Sequence, residues 1–260
     1  MLHRNGTIAG PGVPDGMNDP LPPPPDVLLD GASLYLDFDG TLVEIAATPD
    51  GVVVEPLVPA LLIGLSQRLD GRVALISGRA IDTLAGLVPV SGLTISGSHG
   101  VETLWSDGRR AGPVRSAGLD DAIAAIRLFA GDRDGMLIEE KPFGVALHYR
   151  GAPDAEEDAR ALVQGLAGGT GLDVQTGKMV VELRPAGVDK GDALRRLQAA
   201  APFAGHRPVF IGDDDTDEAA FAAAAGLGGC GVLVGPPRAT VAQYRLDDVA
   251  AVRRWLGGLT

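Results

Sequence analysis

The sequence predicts an α/β protein in which an open parallel sheet is interrupted by a smaller α+β unit. Three observations carry that expectation. Short apolar runs ending in polar, glycine-containing loops recur at 33–41, 73–79, 93–100 and 208–215, and in open parallel sheets such loops stand at the carboxyl ends of strands. A stretch with helical apolar spacing separates the first two runs, which makes a strand, helix, strand unit. Between about 110 and 187 the pattern changes to hairpin-like runs, and the first rhythm returns at Asp189.

Taken in order, residues 1–25 hold repeated Gly and Pro, including Pro22-Pro23-Pro24-Pro25. They are expected to form a disordered leader, because proline fixes φ and removes backbone donors. Ser33-Leu34-Tyr35-Leu36 is a short buried strand running into Asp37-Phe38-Asp39-Gly40-Thr41. Leu57, Leu61, Leu62, Leu65 and Leu69 mark a helix, and Val73-Ala74-Leu75-Ile76 a second strand ending at Ser77-Gly78-Arg79. Leu93-Thr94-Ile95-Ser96 is a third, ending at Gly97-Ser98-His99-Gly100. In the middle block, 136–139 and 144–149 read as a hairpin across Lys141-Pro142, 154–167 as a helix with acidic first turns, and 172–175 and 178–184 as two strands around Gly177. Then follow a helix at 190–200, a strand at 208–211 ending in Gly212-Asp213-Asp214-Asp215, an Ala-rich helix at 217–225, a strand at 232–234 and a helix near 247–256. The expected division is a core domain of 26–109 and 188–260 with a cap domain at 110–187. Clefts between domains are common ligand sites.

Composition narrows the function. The 260 residues carry 34 acidic against 22 basic side chains, a formal charge of −12. That balance disfavours nucleic acid and anionic membrane as partners, and an aromatic fraction of 4% leaves little for base stacking. No apolar run reaches the length of a membrane-spanning helix, and Cys230 is the single cysteine, so no intrachain disulfide can form. A cytoplasmic location is the expectation. A monomer is slightly favoured.

The chemistry concentrates at strand ends. Asp37 and Asp39 stand two residues apart with Gly40 allowing a tight turn. Carboxylates held this close repel unless a cation or a shared proton compensates, and a hard divalent cation such as Mg2+ takes oxygen ligands. With the cation masking phosphate charge, one aspartate can attack phosphorus while the other passes a proton to the leaving alcohol. An isolated Asp-x-Asp is also a frequent strand-capping turn. Ser77 and Lys190 offer a hydroxyl and a cation for phosphoryl oxygens, although Ser77 alone suits a helix N-cap and Lys190 alone a solvated helix start. Asp213 can complete a carboxylate set for the metal beside Asp37, with Asp214 and Asp217 orienting ligands or Lys190 from behind. The acidic run also suits the start of the following helix, but three consecutive aspartates exceed what capping needs.

The run Asp37-Phe38-Asp39-Gly40-Thr41-Leu42, followed in order by Ser77, Lys190 and Gly212-Asp213-Asp214-Asp215-Thr216-Asp217, resembles the haloacid-dehalogenase-like phosphatase superfamily. The resemblance implies a Rossmann-like parallel-sheet core of that type with an inserted α+β cap. It also implies an aspartyl-phosphate at Asp37, acid/base work by Asp39, and a magnesium ion on Asp37, Asp213 and the backbone carbonyl of Asp39.

From about residue 33 onward the chain resembles one subgroup more closely, the trehalose-6-phosphate phosphatases. Gly97-Ser98-His99-Gly100-Val101-Glu102 is similar to that family's Gly-x-His-Gly-x-Glu segment, and Glu218 extends the acidic element in the family's manner. Glu139, Lys141, Arg150, Lys178 and Glu182 resemble its sugar-contacting positions. Strand alternation puts Glu139 and Lys141 on one face, and Lys178 and Glu182 on one face; the same spacing would also serve cross-strand ion pairs. His99 and Gly100 are further substrate-binding candidates. Arg79 suits either the substrate or a salt bridge within the domain, and His148 reads as structural. The same core elements serve sucrose-phosphate and mannosyl-phosphoglycerate phosphatases and sugar phosphomutases, so cap residues decide among sugar phosphates. A binder without turnover would have lost the nucleophile, and both Asp37 and Asp39 are present.

Overall fold

The computed structural model describes residues 21–46, 48, 51–131 and 133–258. Most of the expected leader lies outside these residues. Its last part does not fit the expectation: Leu21 packs on the core, Pro24 is buried, and the Pro22 carbonyl accepts the Arg245 N–H at 3.0 Å.

The large sheet is built on β1 (Ala32–Leu36), β2 (Val73–Ile76), β3 (Thr94–Gly97), β4 (Glu102–Leu104), β5 (Arg110–Ala111), β10 (Arg207–Gly212), β11 (Cys230–Val234) and β12 (Tyr244–Leu246). Between them, the small sheet takes β6 (Leu137–Lys141), β7 (Gly144–His148), β8 (Leu172–Gly177) and β9 (Val180–Pro185). The large sheet runs β12-β11-β10-β1-β2-β3-β4-β5, parallel from β12 to β3 and antiparallel at β4 and β5. All five residues of β1 are buried, as expected of a central parallel strand covered on both faces.

Strand alternation feeds two apolar layers. Leu34, Leu36, Leu75 and Ile211 pack with α1 (Leu57–Arg68) and α7 (Val249–Gly257), through Leu62, Leu65, Val252 and Leu256. Tyr35, Ala74, Ile76 and Phe210 pack on the other side with α5 (Lys190–Gln198) and α6 (Glu218–Gly226), through Leu194, Leu197 and Phe221. Chain order reverses at β1, with β10 on one flank and β2 on the other. The carboxyl ends of strands at such a switch point are where open α/β sheets bind ligands.

The small sheet runs β6-β7-β9-β8, all antiparallel. One face packs Val145, Leu147, Val181 and Leu183 against α3 (Leu119–Ala130) and α4 (Glu156–Thr170) in a core of its own. The other face is polar. The helix α3 had no counterpart among the expected elements, nor did α2 (Ile81–Leu87), β4, β5 or β12.

Candidate active site

Asp37 follows β1, Ser77 follows β2, and Asp213 follows β10, so three neighbouring parallel strands deliver them to one edge. Asp37 and Ser77 are buried, at 4% and 1% exposure. Lys190 arrives from the other side as the first residue of α5, whose start is fixed by a reciprocal cap in which Asp189 accepts the Asp192 N–H at 2.9 Å. Its ammonium donates to Asp37 Oδ1 at 2.9 Å and to Asp217 Oδ1 at 2.7 Å. Lys190 is 3% exposed, so it is no solvated helix start.

One lysine serves a surplus of negative charge. Oxygens of Asp37, Asp213 and Asp217 lie within 4.8 Å of one another. Burial, with the charges of Asp217 and Asp213 added, holds the Asp37 carboxyl well above its ordinary range despite Lys190. Burial and the Asp217 charge push Asp213 up to about 6. Burial also works against the charge on Lys190, but the Asp37 and Asp217 carboxylates outweigh it and hold the ammonium protonated above its ordinary range.

Both oxygens of Asp217 are engaged. Oδ1 takes Lys190, and Oδ2 accepts the N–H groups of Asp213 and Asp214, each at 2.9 Å. Asp214 accepts the Asp215 N–H at 2.7 Å, so capping explains these two residues. Capping leaves Asp213 over, and its Oδ1 accepts from Thr41 Oγ1 at 3.2 Å. Gly40 makes the close approach possible: it sits at φ +78°, and a Cβ there would lie 2.2 Å from Asp213 Oδ2. Hard oxygens on Asp37 and Asp213 with too little positive charge around them fit a magnesium ion.

Above this floor opens a cleft of about 400 Å³, lined from the large sheet by Asp39, Ile45, Gly78, Arg79 and His99, and from the small sheet's side by Leu137, Glu139, Lys141, His148 and Arg150. Arg79 clasps the Asp39 carboxylate with Nε at 2.6 Å and a terminal nitrogen at 2.8 Å. Of the two readings for Arg79, the salt bridge is the one seen. Gly78 admits the His99 ring, since a Cβ there would lie 2.6 Å from Cε1 and Nε2.

The polar face of the small sheet pairs differently from the expectation. Lys141, opposite Gly144, reaches diagonally across β7 to Glu182, at 2.9 Å, with side chains 13% and 14% exposed. Lys178 is exposed in the turn joining β8 to β9, away from Glu182, because the hairpin turns there and alternation stops. His148 is not merely structural: it bonds Glu139 at 2.9 Å and lines the cleft. That bond, with the Lys141 charge, holds the Glu139 carboxyl below its ordinary range despite burial. Gly100 is buried at φ +103°, tight against the Asp189 carbonyl, so it serves packing at the start of α5.

Glu102 was not among the candidate site residues. Its Oε1 accepts from Ser98 Oγ at 2.9 Å and from the Ile81 N–H at 3.1 Å. It thereby ties the start of α2 to Ser98 and His99, both left-handed at φ 52° and 57°. Non-glycine residues in that region need such support, and the carboxylate at the end of the Gly97–Glu102 segment is the signal for it.

The trehalose-phosphatase family model matches residues 35–250. The chain belongs to that family. A probable trehalose-phosphate phosphatase of Sinorhizobium fredii is 42% identical over 211 residues, covering 80% of each chain. The trehalose-6-phosphate phosphatase of Escherichia coli is 37% identical over 250 residues, covering 94% of this chain and 92% of the relative. Among solved structures, a trehalose-6-phosphate phosphatase related protein superposes with a TM-score of 0.75 at 26% identity, over 87% of this chain and 96% of that one. The parallel-sheet core is of the haloacid-dehalogenase type. Among the described residues no helix is long and apolar enough to cross a membrane.

His99, within the family's Gly-x-His-Gly-x-Glu segment, is held neutral. Burial, then the charges of Lys190, Lys141 and Arg184, drive its pKa well below 6.5. Above pH 6.5 the imidazole is neutral folded or unfolded. Below it, the unfolded chain takes up a proton that the folded chain refuses, costing up to about 1.4 kcal/mol of stability per pH unit. His99→Gln is therefore expected to flatten the fall in stability below pH 6.5, read from urea midpoints across pH; an unchanged slope would contradict it.

Proposed function

We propose that this chain hydrolyses trehalose 6-phosphate to trehalose and phosphate, with Asp37 as nucleophile and Mg2+ as cofactor. The observation that carries it is the buried Asp37, bonded to Lys190 and crowded by Asp213 at the sheet's switch point. Asp37 attacks phosphorus as the bond to the sugar oxygen breaks, and Asp39, entering this step protonated and released from the Arg79 clasp, gives that oxygen its proton. Asp39, ionised and oriented by Arg79, then takes a proton from water as the water attacks the aspartyl-phosphate and frees Asp37. Lys190 and the Ser77 hydroxyl stabilise the equatorial oxygens. Asp37 and Asp213, with the Asp39 carbonyl, would hold the magnesium, which supplies neutralisation of phosphoryl charge.

In this reading, residues 110–187 form a cap over a core of 26–109 and 188–260. Glu139, Lys141, Glu182 and Arg150 hydrogen-bond sugar hydroxyls, because buried polar groups discriminate between sugars better than apolar walls do. Burial of the single cysteine suits a reducing, cytoplasmic setting.

The test is steady-state phosphate release from a panel of sugar phosphates with magnesium. Trehalose 6-phosphate is expected to lead, with activity lost on chelation. Equal or better turnover of sucrose 6-phosphate or glucose 6-phosphate would overturn the substrate assignment.

A further inference from the structure

Two exposed aliphatic side chains face the cleft, and nothing in phosphoryl transfer calls for them. Ile45, in the loop after Asp39, is 71% exposed, and Leu137, which opens β6, is 47% exposed. Both line the cleft, together with Ala46, Gly135 and Arg150. Single exposed aliphatics are ordinary on a surface. A pair delivered from two different sheets into one concave site is an apolar wall in want of contact.

Their place along the cleft says what meets them. Leu137, Glu139 and Lys141 alternate on one face of β6, and two residues along a strand cover about 6.6 Å. The Lys141 end lies toward the phosphoryl chemistry: Lys141 faces Gly144 in the sheet, Gly144 lies against Arg184, and Arg184 donates to the Val188 carbonyl two residues before Lys190. Glu139 is next along the strand and lines the same cleft as Arg79. Leu137 is about 13 Å from Lys141 along the strand, farther than the single pyranose ring that carries the phosphate extends. A second ring would reach it.

We propose that Ile45, Ala46 and Leu137 form an apolar subsite for the distal, unphosphorylated ring of a disaccharide phosphate, and that this subsite sets the preference for disaccharide over monosaccharide esters. The inference rests on the trehalose 6-phosphate reading above. The C–H faces of the distal ring lie on the aliphatic wall while its hydroxyls turn to Arg150 and water. One apolar contact of this size discriminates by about tenfold or more.

The experiment measures kcat/KM for trehalose 6-phosphate and for glucose 6-phosphate with the full chain, as wild type, Ile45→Ser, Leu137→Ser, the double variant, and the conservative pair Ile45→Val and Leu137→Met. Exposed substitutions of this kind leave folding within about 0.5 kcal/mol, which urea midpoints verify. The ratio of the two kcat/KM values is expected to fall about tenfold in the double variant, through the KM for trehalose 6-phosphate, and to hold in the conservative pair. An unchanged ratio would overturn the subsite, as would equal losses on both esters, the mark of a clasp that only closes the cleft. A wild type with no preference for trehalose 6-phosphate would overturn the substrate reading and the subsite together; a preference that survives the double variant would overturn the subsite alone.

Discussion

Asp37→Asn is expected to lower phosphate release by about 10⁴-fold or more while leaving the protein folded. The amide keeps the shape of the side chain but is no nucleophile, and no other carboxylate stands in its place. Asp39 is turned to Arg79, and Asp217 has both oxygens engaged. Folding survives because the substitution removes one of three crowded negative charges, and Lys190 keeps Asp217 at 2.7 Å. Phosphate assays and a thermal melt on the same preparation read both halves. Residual turnover above about 1% would place the nucleophile elsewhere.

Lys190→Met carries the second large effect, and it acts on stability as well as rate. Removing the ammonium leaves Asp37 and Asp217, 4% and 0% exposed, without their cation. Breaking a buried pair from one side costs about 3–5 kcal/mol. Loss of a charged donor to the phosphoryl oxygens adds about 10²–10³ in kcat. Urea unfolding at neutral pH checks the first figure, and a saturating magnesium titration checks how much of the loss the divalent ion restores. A variant within about 1 kcal/mol of wild type without magnesium would show that Lys190 is not holding the carboxylates together.

Much of the floor of the site was legible because its residues end regular elements. Asp37, Ser77 and Asp213 each follow a continuous apolar run, and buried parallel strands have that pattern. Lys190 follows a recognisable capping residue. The roof was harder to read. Pairing between strands depends on which strands are neighbours, and β7 lies between β6 and β9. So Lys141 meets Glu182 diagonally across β7, while spacing along the chain puts Lys178 on one face with Glu182. The Asp39 to Arg79 clasp joins residues that no local period connects. The helix α3 does carry its period, in Leu119, Ala122, Ile123, Ile126 and Ala130, but it lies among hairpins whose alternation dominated the reading. The strands β4, β5 and β12 are two or three residues long, too short for any period to show.

The central claim is that Asp37 carries the phosphoryl group between sugar and water. Acid-quenching the enzyme during turnover of trehalose 6-phosphate with magnesium, then digesting it and weighing the peptides, tests this most directly. The account predicts one phosphoryl group on the peptide spanning Asp37, localised to that residue by fragmentation and absent from Asp37→Asn. A phosphoryl group on Asp39 or Asp213, or steady turnover with no acyl-phosphate formed, would contradict it.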